Sequence, residues 1–157
     1  MIMIILTVGM GIFVLYFQIN RFLESKKTIK INLEKSKYEI HTYGKLMFLL
    51  YLLFFVIAVS CIFYASFIKD DTSLGLGIML TTLIAGELLN FKYSHTIYYN
   101  DDAIIVNGEH VRYRTIKTLK KRGLAKRTLD ITTLKGKLIT TSIIAYQYIS
   151  KHTKFKL

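Results

Sequence analysis

The chain has 157 residues, of which 52% are hydrophobic, and its formal net charge is +12. A chain of this length usually forms one soluble domain, but apolar and basic residues in these amounts must lie in separate segments. The single cysteine, Cys61, excludes an internal disulfide and a zinc site built from several cysteines.

The first segment, residues 1–19, contains no charged residue and has the length of a membrane span. A cleaved signal peptide is the alternative interpretation. The segment lacks the basic start of a signal peptide and the small-x-small cleavage site near its end. The sequence therefore favours a retained first span.

The next segment, residues 20–45, is hydrophilic and carries seven basic residues against three acidic ones. Short loops rich in Lys and Arg stay cytoplasmic, so we expect a cytoplasmic loop and an N-terminus outside. Ile29, Ile31 and Leu33 alternate as in a strand, whereas Ile29, Leu33 and Ile40 fit a loose helical face, and the choice stays open. The segment is amphipathic, so it rests on the inner headgroups or packs against the tail, unless it is a solvated loop.

The second span, residues 46–68, has 23 consecutive residues without a charge. As a helix it would be roughly 34 Å long, which is enough to cross a hydrocarbon layer about 30 Å thick. The alternative, a buried helix of a soluble protein, rarely stays uncharged over more than about 18 residues. We therefore predict that this segment crosses the membrane.

The third span, residues 72–91, follows the second after only three charged residues. So short a connection predicts an antiparallel hairpin of two spans. Gly75, Gly77 and Gly86 indicate close packing against another helix. We expect this span to contact a larger membrane partner or a second copy of the chain.

Glu87 is the one ionisable residue inside a predicted span, and such residues are functional candidates by default. It lies about one helical turn from the cytoplasmic end of the span. We predict a polar cluster there in which Glu87 pairs with Lys45 or Arg21, with Gln18 at the same level. The alternative is a proton or ion site, which three spans could build only as an oligomer.

The tail, residues 92–157, consists of short strand-like runs separated by turns. Two turn signals predict two hairpins. The first is Asn107-Gly108, and the second is Lys135-Gly136-Lys137. Residues 145–155 are typical of a terminal helix. Strands followed by a closing helix predict a small α+β domain with an antiparallel sheet.

The run IYYNDDAIIVNGEHVRYRTIKTL, residues 97–119, resembles the opening of bacterial pleckstrin-homology-like domains. Those domains begin with a strand, an acidic or glycine turn, an apolar strand and a second hairpin. An aromatic residue and an isoleucine follow, which are Tyr113 and Ile116 in this chain. The whole layout is similar to that of short three-span bacterial membrane proteins of unknown function. The resemblance implies a cytoplasmic tail that binds partners or a lipid surface and carries no known catalytic residues.

The densest positive charge lies in residues 112–127, which include no acidic residue. Its basic residues are Arg112, Arg114, Lys117, Lys120, Lys121, Arg122, Lys126 and Arg127. Nucleic acid would suit such a run. Its predicted place beneath a cytoplasmic membrane surface instead favours anionic lipid, which attracts each nearby basic residue by about 1 kcal/mol. A solvated loop between strands is the third interpretation.

Signatures of catalysis are scarce in this sequence. The four histidines, His41, His95, His110 and His152, lack the spacing of metal ligands, and no nucleophile elbow or phosphate loop is recognisable. We therefore expect a non-enzymatic protein without metal or cofactor in a bacterial plasma membrane, with an external N-terminus and a cytoplasmic C-terminus. It would be an accessory or regulatory subunit, or an immunity protein against a toxin or bacteriocin. The alternative is a transport or ion-handling module that uses Glu87.

Overall fold

The computed structural model describes residues 2–122 and 127–154. The chain divides into two compact units, each assembled from two separate parts of the sequence. The helical unit comprises Met1–Leu23 and Gly44–Lys92, and the sheet unit comprises Glu24–Tyr43 and Tyr93–Leu157. The sheet unit is therefore interrupted in sequence by a helical hairpin.

Three helices are long and apolar enough to cross a membrane: α1 (Ile2–Lys35), α2 (Lys45–Ile68) and α3 (Asp71–Ser94). The bounds of α2 and α3 agree with the spans predicted at 46–68 and 72–91. Their large apolar side chains are mostly exposed, including Phe63 and Phe67. Side chains of this kind on the outside of a helix suit lipid and not water.

The first helix differs from the prediction of a span at 1–19 followed by a loop at 20–45. It continues without a break to Lys35, so most of the predicted loop is helical. Residues 20–35 contain no proline or glycine and are rich in Lys, Glu and Leu, which favour helix. The open choice between strand and helix is thus settled as helix for Ile29, which is buried, and for Ile31 and Leu33, which are exposed. Ile40, which the helical alternative included, lies instead in a strand, Glu39–Thr42.

In the helical unit, α3 packs against both other helices through its glycines. A Cβ atom added to Gly75 would lie 2.5 Å from Thr7 Oγ1, and one added to Gly86 would lie 2.6 Å from Gln18 Cγ. On the other side of α3, the position of Gly77 lies against Ile62 of α2. Thr7, early in α1, lies against Gly75, early in α3, and Gln18, later in α1, lies against Gly86, later in α3. The two helices therefore run parallel to each other.

The short connection between α2 and α3 contains Asp70, which caps the N-terminus of α3. The Asp70 carboxylate accepts hydrogen bonds from the Thr72 amide (3.1 Å) and from the Ser73 hydroxyl (2.5 Å) at the start of α3. The Ser73 hydroxyl and then the Thr72 amide hold the pKa of the Asp70 carboxyl below its usual value. This capping satisfies backbone donors that the first turn of a helix leaves free.

The sheet unit contains two antiparallel sheets. The first has the order β1 (Glu39–Thr42), β2 (Thr96–Tyr99), β3 (Ala103–Val106), β4 (Glu109–Arg112). After a 3₁₀ turn, Tyr113–Thr115, the second has the order β5 (Ile116–Arg122), β6 (Thr128–Thr133), β7 (Leu138–Ser142), and helix α4 (Ala145–His152) closes the fold. Both predicted hairpins and the terminal helix are confirmed, although the helix ends at His152 and does not continue toward residue 155. Phe155, at its predicted end, lies outside the described residues.

Both faces of the first sheet are covered. Ile104 is fully buried in the core that includes Leu129 and Ile131 of the second sheet and Ile149 of α4. Its neighbour Ile105 is also fully buried, but in a separate cluster with Ile29 of α1. Because successive side chains of a strand point to opposite faces, the continuous apolar run of β3 reflects burial on both sides.

Candidate functional site

The sheet unit contains a polar cavity of about 820 Å³. It lies among the end of α1, the β2–β3 turn, β4, the 3₁₀ turn and the residues that follow α4. Its charged and aromatic lining residues are Lys35, Tyr38, Asp101, Asp102, His110, Arg112, Tyr113, Arg114, His152 and Lys154. Every one of these residues belongs to the sheet unit.

The β2–β3 turn fixes one edge of this pocket. The Asn100 side-chain oxygen accepts hydrogen bonds from the amides of Asp102 (3.0 Å) and Ala103 (2.8 Å). The Tyr113 amide donates to the Asp102 carbonyl oxygen at 3.0 Å. Such Asx turns are favoured by Asn. The turn therefore holds the two aspartates and Tyr113 in one place.

Positive charge exceeds negative charge around the pocket. The lining contains four cations and the two carboxylates of Asp101 and Asp102. The cations are Lys35, Arg112, Arg114 and Lys154. Within residues 2–122 and 127–154 none of them forms an ion pair. Because unpaired guanidinium groups keep all their donors available, they can bind an oxyanion in a bidentate manner. The pocket is thus suited to an anionic ligand.

His110 is the half-buried imidazole of this site. Burial, followed by the charges of Arg112 and Lys35, lowers the pKa of His110. The imidazole is therefore largely neutral at pH 7 and has one N–H donor and one acceptor nitrogen. His110 and Arg112 are two residues apart on β4, so they lie on the same face of the strand.

Tyr113 is the most enclosed polar side chain that lines the pocket. It is 5% exposed, and its buried hydroxyl has no hydrogen-bond partner among the residues that the structure describes. Its ring stacks on the ring of His152, with centroids 4.8 Å apart and planes 10° from parallel. Burial, followed by the charge of Asp101, raises the pKa of Tyr113, so the hydroxyl keeps its proton and can donate it in a hydrogen bond.

The predicted basic run does not form one continuous surface. Arg112 and Arg114 line the pocket, whereas Lys120 and Arg122 lie on an outer face of β5, where Arg122 is 3.7 Å from Asp130. Lys121 is on the opposite face of that strand, with its ammonium 6.0 Å from the centroid of the Tyr146 ring. Lys117 and Arg127 are exposed, and Lys126 lies outside the described residues.

Sequence reasoning did not assign several pocket residues to the site. Lys35 and Lys154 are far from the basic run in sequence, and His110 and His152 were interpreted as scattered. The one available signal was the spacing of His110 and Arg112, which places both side chains on one face of a strand. The other residues are brought together only by the fold.

A second polar cluster lies in the helical unit. Gln18 Nε2 donates to Glu87 Oε1 at 3.0 Å, and Asn90 Nδ2 donates to Gln18 Oε1 at 2.9 Å. The predicted cluster therefore forms around Gln18 and Glu87. The predicted ion pair between Glu87 and Arg21 or Lys45 is absent from the part of the chain that the structure describes, because an amide occupies the position next to the carboxylate.

Asn90 was missed by the sequence reasoning, although it follows Glu87 by three residues and so shares its helix face. Its amide also donates to the carbonyl oxygens of Gln18 and Gly86, each at 3.0 Å. The cluster therefore joins α1 to α3 through hydrogen bonds. These bonds stabilise helix packing in a low-dielectric environment.

No group of three His, Cys, Asp or Glu side chains that could hold a metal ion occurs among the residues described. The comparisons with protein-family models, with curated proteins and with solved structures find no match to this chain.

Proposed function

We propose that this chain is a non-enzymatic, multi-pass membrane protein whose sheet unit is a pleckstrin-homology-like binding module at the cytoplasmic surface of a bacterial plasma membrane. One observation carries the proposal. Four antiparallel strands are followed by three more and by a closing helix, and a helical hairpin is inserted between β1 and β2. The order of four strands, three strands and a helix resembles that of pleckstrin-homology-like domains.

The inserted hairpin supports the role of an anchored binding module. β1 pairs with β2 from Glu39↔Tyr99 to Thr42↔Thr96, although α2 and α3 lie between them in sequence. A two-span insertion returns the chain to the side from which it left. Both parts of the sheet unit therefore lie on one side of the membrane, and its many Lys and Arg residues favour the cytoplasmic side.

The partner in this proposal is another membrane protein, with anionic lipid of the inner leaflet as a second contact. The chain would act as an accessory or regulatory subunit of a membrane complex, or as an immunity protein that shields such a complex from a toxin or bacteriocin. The expected contact through Gly75 and Gly86 needs correction, because both glycines pack against α1 of the same chain. A partner would instead contact the exposed outer faces of the helices.

Nucleic acid is not the partner in this proposal. Such binding requires a continuous basic surface that follows the phosphate backbone. The basic residues of this chain are divided between a pocket and two faces of β5, and Asp130 neutralises part of one face.

Ion handling by Glu87 is the alternative function. It predicts an ion flux in proteoliposomes that Glu87→Gln abolishes. Our proposal predicts no such flux, and a folded Glu87→Gln variant, because a glutamine side-chain oxygen can still accept the hydrogen bond from Gln18 Nε2.

The orientation is tested by single cysteines in a Cys61→Ala background. In intact cells, we expect a cysteine at the exposed Thr72 to react with a membrane-impermeant thiol reagent. Cysteines at Ser36 and Lys135, which lie in the two sequence parts of the sheet unit, should react only after the cells are opened. Labelling of Ser36 and Lys135 variants from opposite sides would contradict the proposal, and labelling of both from outside would reverse the orientation.

A further inference from the structure

We propose that the pocket of the sheet unit binds a glycerophosphate-type ligand, in which a phosphate is joined to a small hydroxyl-bearing group. This inference rests on the proposed function of the sheet unit as a binding module and names the chemistry of its ligand. The pocket volume of about 820 Å³ lies within the range of small-molecule sites, about 300–1,000 Å³.

The phosphate end of the ligand is assigned to the cationic residues of the pocket. Lys35, His110 and Arg112 all line the pocket. They offer a point charge, a guanidinium fork and an imidazole N–H. A phosphate has more acceptor oxygens than a carboxylate, and arginine is well suited to bind it in a bidentate manner.

The hydroxyl-bearing end is assigned to Asp101 and Asp102, which lie on the β2–β3 turn and also line the pocket. A second anionic group placed there would be repelled, whereas hydroxyl groups can donate hydrogen bonds to carboxylates. The arrangement of four cations and two carboxylates therefore selects against a ligand with negative charge at both ends. It favours one phosphate joined to a neutral polar group.

The hydroxyl of Tyr113 is a donor that a ligand could use, because Tyr113 lines the pocket and its hydroxyl has no partner among the described residues. A buried hydroxyl without a partner destabilises a protein by about 1–3 kcal/mol. A ligand oxygen that accepts a hydrogen bond from Tyr113 would remove this penalty in the complex. The ligand would meet Tyr113 beside His152, whose ring covers one face of the tyrosine ring.

The test uses the full-length protein in phosphatidylcholine nanodiscs, titrated with glycerol 3-phosphate by calorimetry. We expect saturable binding that Arg112→Gln weakens at least tenfold, which corresponds to about 1.4 kcal/mol or more. Tyr113→Phe should weaken binding several-fold without lowering the melting temperature of the free protein, because the hydroxyl has no partner to lose. Arg122→Gln is the matched control: it removes the same charge outside the pocket and should leave the affinity unchanged.

The inference is wrong if glycerol 3-phosphate shows no saturable binding, or if Arg122→Gln weakens binding as much as Arg112→Gln does. It is also wrong if Tyr113→Phe raises stability and leaves the affinity unchanged, since the hydroxyl would then be a structural feature alone. None of these results depends on which side of a membrane the sheet unit occupies, so failure here is distinct from failure of the cysteine-labelling experiment.

The same titration identifies the source of the ligand. Nanodiscs that contain phosphatidylglycerol present a phosphate joined to a free glycerol, whereas phosphatidylserine has the same net charge with serine in place of that glycerol. If phosphatidylglycerol alone weakens the apparent affinity for glycerol 3-phosphate, the pocket binds the lipid headgroup. If the two lipids have the same effect, the pocket binds a soluble glycerophosphate. Both outcomes support the proposed ligand chemistry.

Discussion

Replacing Gly108 with alanine should lower the free energy of unfolding of the sheet unit by about 3 kcal/mol. Gly108 has a φ of +74° in the β3–β4 turn, and an added Cβ would lie 2.1 Å from Ser25 Oγ and 2.9 Å from Ser25 Cα. The substitution therefore combines a left-handed backbone with a collision against the backbone of α1. Hydrogen exchange of the β3 and β4 amides in the detergent-solubilised protein measures the loss, expected to be roughly 100-fold in protection.

Gly136→Ala is the matched control for this substitution. Gly136 also lies in a hairpin turn with a positive φ of +79°, but an added Cβ would meet no atom of the described residues within 4 Å. Only the backbone penalty of about 1–2 kcal/mol should remain. Equal losses for the two variants would contradict the close approach of α1 to the β3–β4 turn. Ser25→Gly should recover only part of the loss at Gly108, because the Ser25 backbone remains in place.

Replacing Gly86 with leucine should separate α1 from α3 and destabilise the helical unit by about 3 kcal/mol. An added Cβ at this position would lie 2.6 Å from Gln18 Cγ and 3.0 Å from Gln18 Cβ, so the whole Gln18 side chain must move. The hydrogen bonds of Gln18 with Glu87 and Asn90 would be lost as well. Thermal unfolding of the detergent-solubilised protein, followed by the circular dichroism of the helices, measures the effect.

Gly9→Leu provides the comparison for Gly86→Leu. Gly9 lies on α1 and is exposed, and in the described part of the chain no atom lies within 4 Å of an added Cβ. Leucine at this position should leave the unfolding temperature unchanged or raise it slightly, because glycine disfavours helix. If Gly9→Leu and Gly86→Leu lower the unfolding temperature equally, the assignment of Gly86 to the α1–α3 contact is wrong.

The elements with strong local signals could be predicted from the sequence. The apolar runs at 46–68 and 72–91 predicted α2 and most of α3, because their length and composition are typical of membrane spans. Asn107 and Gly108 marked the β3–β4 turn because both adopt positive φ values, +51° and +74°. These signals act over a few residues and need no knowledge of the rest of the fold.

Two strands escaped prediction for identifiable physical reasons. β1 has only four residues, mostly exposed, and its partner β2 follows only after two long helices. β5 lies in the basic run. A register shift between Ile116 and Thr118 also disrupts the alternation of buried and exposed side chains along this strand. Its buried residues Ile116 and Leu119 are therefore three apart and not two. A bulge of this kind removes the periodicity by which a strand is recognised.

The pocket could be anticipated only in part. Arg112 and Arg114 were chosen for their charge, but the interpretation of residues 112–127 as one basic surface neglected Asp130, which comes from the neighbouring strand. The end of α1 brings Lys35 to the site, and this helix was expected to stop at residue 19. Long-range pairing of this kind has no local signature in the chain.

The pairing of β1 with β2 on both sides of the helical hairpin is the central claim, and a disulfide tests it directly. Thr42 and Thr96 are opposite each other, with hydroxyl oxygens 3.3 Å apart. In a Cys61→Ala background, Thr42→Cys with Thr96→Cys should form a disulfide in nearly every molecule when isolated membranes are oxidised. Glu39→Cys with Thr96→Cys, three residues out of register, should form very little. Equal cross-linking of the two pairs, or none in either, would contradict a sheet unit that is built around an inserted membrane hairpin.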